Sequence, residues 1–373
     1  MSGIYVHIPF CDTKCIYCDF YSITNHSRKK ELIDSLVTEI KTNALKVNDK
    51  SFDTIFFGGG TPSLLSYEEF NRLFEALYTS YNISPDSEIT IEANPGTLNT
   101  EKLKTFRKLP INRMSFGVQS FIDSELKFLT RIHSAEQAEI AIKSAQDSGF
   151  DNINLDLIFA LPDQTPDNWK YNLEKAVSLN TKHISAYSLI FEDGTFLNTL
   201  LHKNKVKKAD TDLEQEMYEY TMEYLSINGF NQYEISNYSI PGYECRHNLK
   251  YWEHHDYISF GPSAASFIDG YRYVNVRDIE KYIDAMDSGK DAYDFTEFID
   301  KDTSIMEYIF LGLRSTGIDL KRFRTRYNID FMKEYKSSIN TLLTNNFASM
   351  EDNTLRLSRK GYAVCDEIVA TYF

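Results

Sequence analysis

Short apolar stretches and longer amphipathic ones take turns along the first half of this chain, and that alternation limits the fold more than any other feature. Strands are predicted at Ile4–Ile8, Thr54–Phe57, Glu88–Glu92, Arg113–Val118, Asn152–Phe159 and His183–Ser188. Between them lie helical patterns at Glu31–Lys46, Tyr67–Tyr81, Ser134–Gly149 and Asp167–Leu179. Leu32, Leu36 and Ile40 recur at helical spacing, as do Phe70, Leu73, Phe74 and Leu77. Strands separated by helices pair in parallel, through right-handed crossovers. Six such units fall short of the usual eight-stranded closed barrel. The expected product is an α/β fold with an open, curved (β/α)6 sheet.

Functional groups collect at the carboxyl ends of the strands in such a sheet, and the candidate residues fall there. Three of the five cysteines occupy one loop after the first strand, Cys11-Asp-Thr-Lys-Cys15-Ile-Tyr-Cys18. Gly58-Gly-Gly-Thr-Pro62 follows the second strand, Glu92 closes the third, Gln119 closes the fourth, and Asp156 lies on the fifth. Thiolates so bunched suit three irons of a cubic iron–sulfur cluster. The place where a fourth thiolate would follow is Phe20, which leaves one iron open to a non-protein ligand. Zinc would want a second pair of nitrogen or sulfur ligands, and a disulfide framework fails on the odd number. The three glycines let the backbone approach a ligand or simply form a tight turn. No Gly-Lys-Ser/Thr follows them, so they are not a nucleotide P-loop. Taken alone, Glu92 and Asp156 serve as loop caps as readily as ligand contacts.

Charge narrows the classes of partner. The chain carries 54 acidic against 40 basic residues, a net −14. That balance argues against a nucleic-acid or anionic-membrane surface. The one basic knot, Lys321-Arg-Phe-Arg324-Thr-Arg326, reads as a solvated helix face. No apolar run approaches the ~20 residues of a membrane helix, and a strand at the very start leaves no room for a signal peptide. A cytoplasmic, reducing location is expected, with membrane contact only indirect.

Length allows one large domain and a smaller one. The pattern changes after Gly229. The stretch 233–275 is rich in Tyr, Asn, His and Gly and reads as extended pieces and turns. From Thr303 a helical unit is predicted at Ile305–Arg314, Leu320–Tyr327 and Met332–Asn345. It ends in Leu355-Arg-Leu357 and a helix over Ser358–Tyr372 that buries Cys365. The expected division is 1–229, 230–300 and 301–373. The middle part holds Cys245-Arg-His247-Asn248-Leu-Lys-Tyr251-Trp252, an imidazole followed by two aromatic rings. By themselves such residues usually just pack a core. His254 and His255 read as solvent-facing.

Cys-x3-Cys-x2-Cys with Tyr17 ahead of the last cysteine resembles the signature of the radical S-adenosylmethionine (SAM) superfamily. Tyr5-Val-His-Ile-Pro-Phe-Cys11 narrows the resemblance to the branch holding oxygen-independent coproporphyrinogen III dehydrogenase and the HemW-type haem chaperones. The resemblance implies a partial (β/α)6 radical-SAM barrel with a C-terminal winged-helix-like α+β domain, in a structural or substrate-covering role. It implies a [4Fe–4S] cluster on Cys11, Cys15 and Cys18. The open iron would be chelated by SAM, which an electron then cleaves to methionine and a 5′-deoxyadenosyl radical. Positions matching the SAM contacts are Tyr5, Tyr17, Gly59, Gly60, Thr61, Glu92, Gln119, Arg131 and Asp156, and more loosely Ile190 and Ala265. His-Asn-x-x-Tyr-Trp matches the run that the chaperones carry for haem: His247 as axial ligand, with Asn248, Tyr251 and Trp252. Cys245 is then a competing thiolate ligand.

Two functions follow from that branch. One is oxidative decarboxylation of coproporphyrinogen III. Against it stand Phe20, where the dehydrogenase has a further cysteine, and a cluster loop that begins at residue 11 without the dehydrogenase's long N-terminal extension. The other, favoured here, is a chaperone that delivers haem to apo-haem proteins of respiratory chains. Cluster and SAM would gate transfer or assembly into a homodimer, and a flavodoxin or ferredoxin would supply electrons.

Overall fold

A computed structural model of the chain describes residues 1–47 and 50–373. Six strands form the centre: β1 (Ser2–Ile8), β2 (Ser51–Gly59), β3 (Asn82–Ala93), β4 (Arg113–Gln119), β5 (Asn152–Phe159) and β6 (His183–Ser188). They pair in parallel and in sequence order from β1 to β6, the arrangement expected of strand–helix repeats. Local sequence sets the helix starts. Ser66 and Glu69 form a capping box before Tyr67–Ser80, Ser134 and Gln137 form another before Ala135–Asp147, and Thr165 caps a helix opened by Pro166. The apolar faces read from periodicity are buried: Leu32, Leu36, Ile40, Phe70, Leu73 and Leu77 are closed to solvent. Phe57 of β2 meets Phe70 and Phe74 edge-on at 5.2 Å, and each such ring contributes about 1.5–3 kcal/mol by leaving water.

The sheet is larger than six strands. At the β6 edge it adds a short antiparallel pair, β7 (Asn231–Gln232) and β8 (Asn237–Ser239). At the β1 edge it adds β9 (Tyr257–Phe260), parallel to β1, and then the antiparallel β10 (Ala265–Ile268), β11 (Tyr271–Asn275) and β12 (Tyr293–Phe298). The twelve strands run in one open series whose outermost members are β12 and β7. Among the described residues, no helix is long and apolar enough to cross a membrane.

The region after Gly229 departs from its sequence reading. Within the stretch expected to be extended, Arg246–Trp252 is a helix. His254, expected to face solvent, is buried: its ring stacks on Phe267 at 4.6 Å and Nε2 lies 3.2 Å from Glu307. In the C-terminal unit, the helix expected over Met332–Asn345 breaks at Tyr335 into Phe331–Glu334 and Lys336–Thr344. The last one divides into Arg359–Tyr362 and Cys365–Tyr372, with Cys365 buried. A second, three-stranded sheet joins β13 (Ile318–Asp319), β14 (Ala348–Glu351) and β15 (Thr354–Leu357). The basic knot lies on a helix with Lys321, Arg324 and Arg326 exposed, as expected, and two of its cations also make contacts within the fold. Arg322 donates to the carbonyl of Glu253 at 2.7 Å, and Arg326 to that of His254 at 2.7 Å. Both guanidinium groups thereby serve carbonyls just past the Arg246–Trp252 helix.

Candidate functional site

The cysteine loop leaves β1 and returns to it. Cys11 N–H donates to the Ile23 carbonyl at 3.0 Å and Ile23 N–H to that of Pro9 at 2.8 Å, which closes the neck of the loop. The glycine run is stitched to the same neck, Gly60 N–H to Ile8 O and Thr61 N–H to Phe10 O. Gly59 has φ +108°, and a Cβ there would meet the His7 ring at 2.5 Å; one on Gly60 would meet Pro9 and Phe10 backbone at 2.7 Å. Glycine is therefore required by loop-on-loop packing, whatever the cavity holds. Arg131 bridges the loop to β4: Nη2 donates to Gly117 O at 2.6 Å and Nη1 to Cys15 Sγ at 3.4 Å. Cys11 Sγ lies 3.4 Å from Thr61 Oγ1.

Cys11, Cys15 and Cys18 are all partly exposed at the mouth of a cavity of about 470 Å³. Among the described residues, no group of three or more His, Cys, Asp or Glu side chains converges as a single-ion site. The three thiols instead face a space able to take a larger inorganic group, with the Arg131 cation against one of them, and to that extent they fit a cluster. Tyr17, Gly59, Gly60, Thr61 and Glu92 line the same cavity, as do Gln119, Arg131, Asp156 and Ile190. So the loops after β1, β2, β4 and β6 and the ends of β3 and β5 meet at one rim.

Two carboxylates look into this space. Glu92 Oε2 accepts from Gly59 N–H at 3.1 Å, and burial, with Asp156 nearby, pushes its carboxyl up to about 8. Burial also raises Asp156, whose oxygens accept from Ser115 Oγ at 3.0 Å and Asn154 Nδ2 at 2.8 Å.

Below lies an inner chamber of about 330 Å³, which shares Phe20, Gly59, Glu92, Ser115, Asp156 and Tyr187 with the outer cavity. Tyr5 belongs here, not at the mouth, and so do His247, Asn248 and Tyr251. His247 is 1 % exposed, with Nδ1 2.8 Å from Thr54 Oγ1 and Nε2 2.8 Å from Tyr251 Oη. Its ring stacks on Phe56 at 5.2 Å. Burial, reinforced by the charges of Lys250 and Arg113, lowers its pKa to about 3, so the imidazole is neutral, the form that binds metals. Glu88 sets the helix: its carboxylate accepts the N–H of Arg246 at 3.1 Å and of His247 at 3.0 Å.

Some expected residues are not brought in. Ala265 lies on β10 and lines neither space, and Trp252, at the end of its helix, lines neither. Cys245 is fully buried with its thiol pushed up to about 12, against Glu88, so a competing thiolate is disfavoured. Arg113, Ser115, Asn154 and Ser185 line the chamber without having been singled out. Their signal was available: polar residues at every second position of strands expected to be apolar on both faces.

Comparison with known proteins places this architecture. Residues 5–176 match the radical SAM superfamily, and residues 299–364 the HemN C-terminal domain. The structure of coproporphyrinogen III oxidase (HemN) from Escherichia coli, described there as a radical SAM enzyme, superposes with a TM-score of 0.84 over 100% of this chain and 90% of its own, at 22% identity. The fold and site thus define a radical SAM protein, and membership of that superfamily implies SAM and a [4Fe–4S] cluster. A Bacillus subtilis protein named "Heme chaperone HemW" is 36% identical across 100% of this chain and 99% of its own length. A namesake from Lactococcus lactis is 34% identical over 98% and 96%, and one from Escherichia coli 38% over 72% and 71%. The chain belongs to the HemW family.

Proposed function

We propose that this protein binds haem and passes it to apo-haem proteins of respiratory chains, while holding a [4Fe–4S] cluster and SAM at the mouth of its sheet. The observation that carries the reading is His247: a neutral imidazole, with Asn248 and Tyr251, faces a chamber in a chain similar from end to end to proteins named haem chaperones. Cys11, Cys15 and Cys18 are assigned as the thiolate ligands. Glu92 and Asp156 suit ribose hydroxyls, and Gln119 and Arg131 suit a carboxylate. When bound, the cluster and SAM supply one-electron chemistry. A flavodoxin or ferredoxin is the proposed donor, and the cytoplasm the proposed compartment. Residues 1–229 would form the SAM unit, 230–300 the haem-binding extension and 301–373 its winged-helix-like support.

Haemin added to anaerobically purified protein is expected to give a Soret band that weakens in His247→Ala. A variant with the full wild-type spectrum would remove His247 as ligand. Coproporphyrinogen III turnover with SAM and a reductant, run beside that titration, would replace the chaperone reading with the enzymatic one.

A further inference from the structure

The polar face of β4 carries a guanidinium at the floor of the inner chamber. Arg113 alternates with Ser115 on the strand, and both line the chamber. Arg113 is 2 % exposed, and among the described residues its side chain makes no hydrogen bond or ion pair within 4 Å; its Nε is buried without a partner. Glu88, Glu92 and Asp156 set negative charge near it but accept their hydrogen bonds from other groups. Glu88 holds the N–H groups of Arg246 and His247, and Asp156 holds Ser115 and Asn154. A buried guanidinium whose charge is met but whose N–H groups have no acceptor leaves strong donors unpaired, and such a group persists where a ligand completes it.

We propose that Arg113 receives a carboxylate, and specifically a propionate of haem, at the floor of this chamber. The proposal rests on the haem reading above and assigns the polar end of that ligand. The guanidinium is a planar fork matched to a carboxylate, which it binds through two parallel hydrogen bonds. The chamber walls suit the rest of the molecule: Tyr5, Phe56 and Tyr251 offer ring surface to a flat macrocycle, and His247 shares the space. Alone the chamber is at the small end of cofactor pockets, about 300–1,000 Å³, but it opens into the outer cavity through six shared lining residues.

The test compares haemin with haemin dimethyl ester, which has the same ring and iron but no free carboxylate, by absorbance titration of the cluster-loaded full chain. Wild type is expected to bind haemin about 10- to 100-fold more tightly than the ester, the range of a charge-assisted pair. Arg113→Gln should bring haemin down to the ester's affinity and leave the ester's affinity and the iron content unchanged. Arg113→Lys, a point charge without the fork, should recover part of the difference. An Arg113→Gln protein that keeps the wild-type haemin-to-ester ratio overturns the proposal. So does one that keeps the ratio and loses SAM affinity, since the carboxylate would then be that of SAM. Should the variants fail to fold, a wild-type ratio near one overturns it unaided. Wild type that binds neither porphyrin removes the haem reading as well, an outcome distinct from haem bound with an unaltered ratio.

Discussion

The mouth and the floor of this interior are built in opposite ways. At the mouth, three part-exposed thiols ride on a loop fixed by backbone bonds at its neck and by Arg131, with Phe20 68 % exposed beside them. At the floor, His247 sits on a helix held at both ends, by Glu88 on its first N–H groups and by Arg322 and Arg326 on the carbonyls beyond it. Both of its ring nitrogens are engaged. The mouth is open to filling from outside, whereas at the floor, on the haem reading proposed above, the His247–Tyr251 bond would have to break before iron reached Nε2. The difference teaches that the cysteine end is pre-shaped and the His247 end is latched by hydrogen bonds.

The largest effect is expected where the mouth depends on one side chain. Cys15→Ala should abolish the brown absorption near ~400 nm of anaerobically reconstituted protein, since a cluster held by two thiolates is lost. The fold should survive, because the Cys15 thiol is part-exposed and its contacts are with the side chains of Arg131 and Tyr17. Unchanged iron content would break the ligand assignment.

The floor should instead respond through stability. Glu88→Ala leaves the buried His247 N–H and the part-buried Arg246 N–H unpaired and should cost about 2 kcal/mol in denaturant unfolding, with weakened haemin binding and full cluster content. Glu88→Gln, which keeps an acceptor, should cost less. Equal loss of cluster in both variants would mean that the two ends are not separable.

These supports also explain what the sequence disclosed. Asn152–Phe159 and His183–Ser188 were legible to the residue, because apolar β-rich runs are bounded by turns, and the cysteine loop was legible because its chemistry is compressed into one segment. The Arg246–Trp252 helix was not. Its N-cap, Cys245, makes no side-chain capping bond, and the groups that stabilise it come from 158 and 69 residues away. Local propensity carries no trace of such caps. Arg113 was hidden differently: in sequence it is one more charged residue at the start of a strand, and only the burial of a side chain without a hydrogen-bond partner marks it.

If the floor is latched by Tyr251, removing the latch should help the cargo. Tyr251→Phe frees Nε2 of His247 while keeping the ring, so haemin should bind about 2- to 10-fold more tightly, the worth of one neutral hydrogen bond. Weaker binding would mean that the hydroxyl contacts the ligand and does not compete with it.

The subtlest effect concerns Glu92, which borders both spaces. Its folded pKa of about 8 stands above the ordinary 4.5, because burial and Asp156 disfavour the charge. Between those values the folded chain holds a proton that the unfolded chain has released. The stability this contributes is complete below about 4.5 and is lost as pH rises through about 8. Glu92→Gln cannot ionise and should escape that loss. Melting curves of cofactor-free protein from pH 5 to 9 should show the variant gaining on wild type by roughly 2–5 °C toward the alkaline end. Parallel curves would mean that Glu92 already carries its charge at neutral pH, and the border between mouth and floor would then be an anionic gate in place of a protonated one.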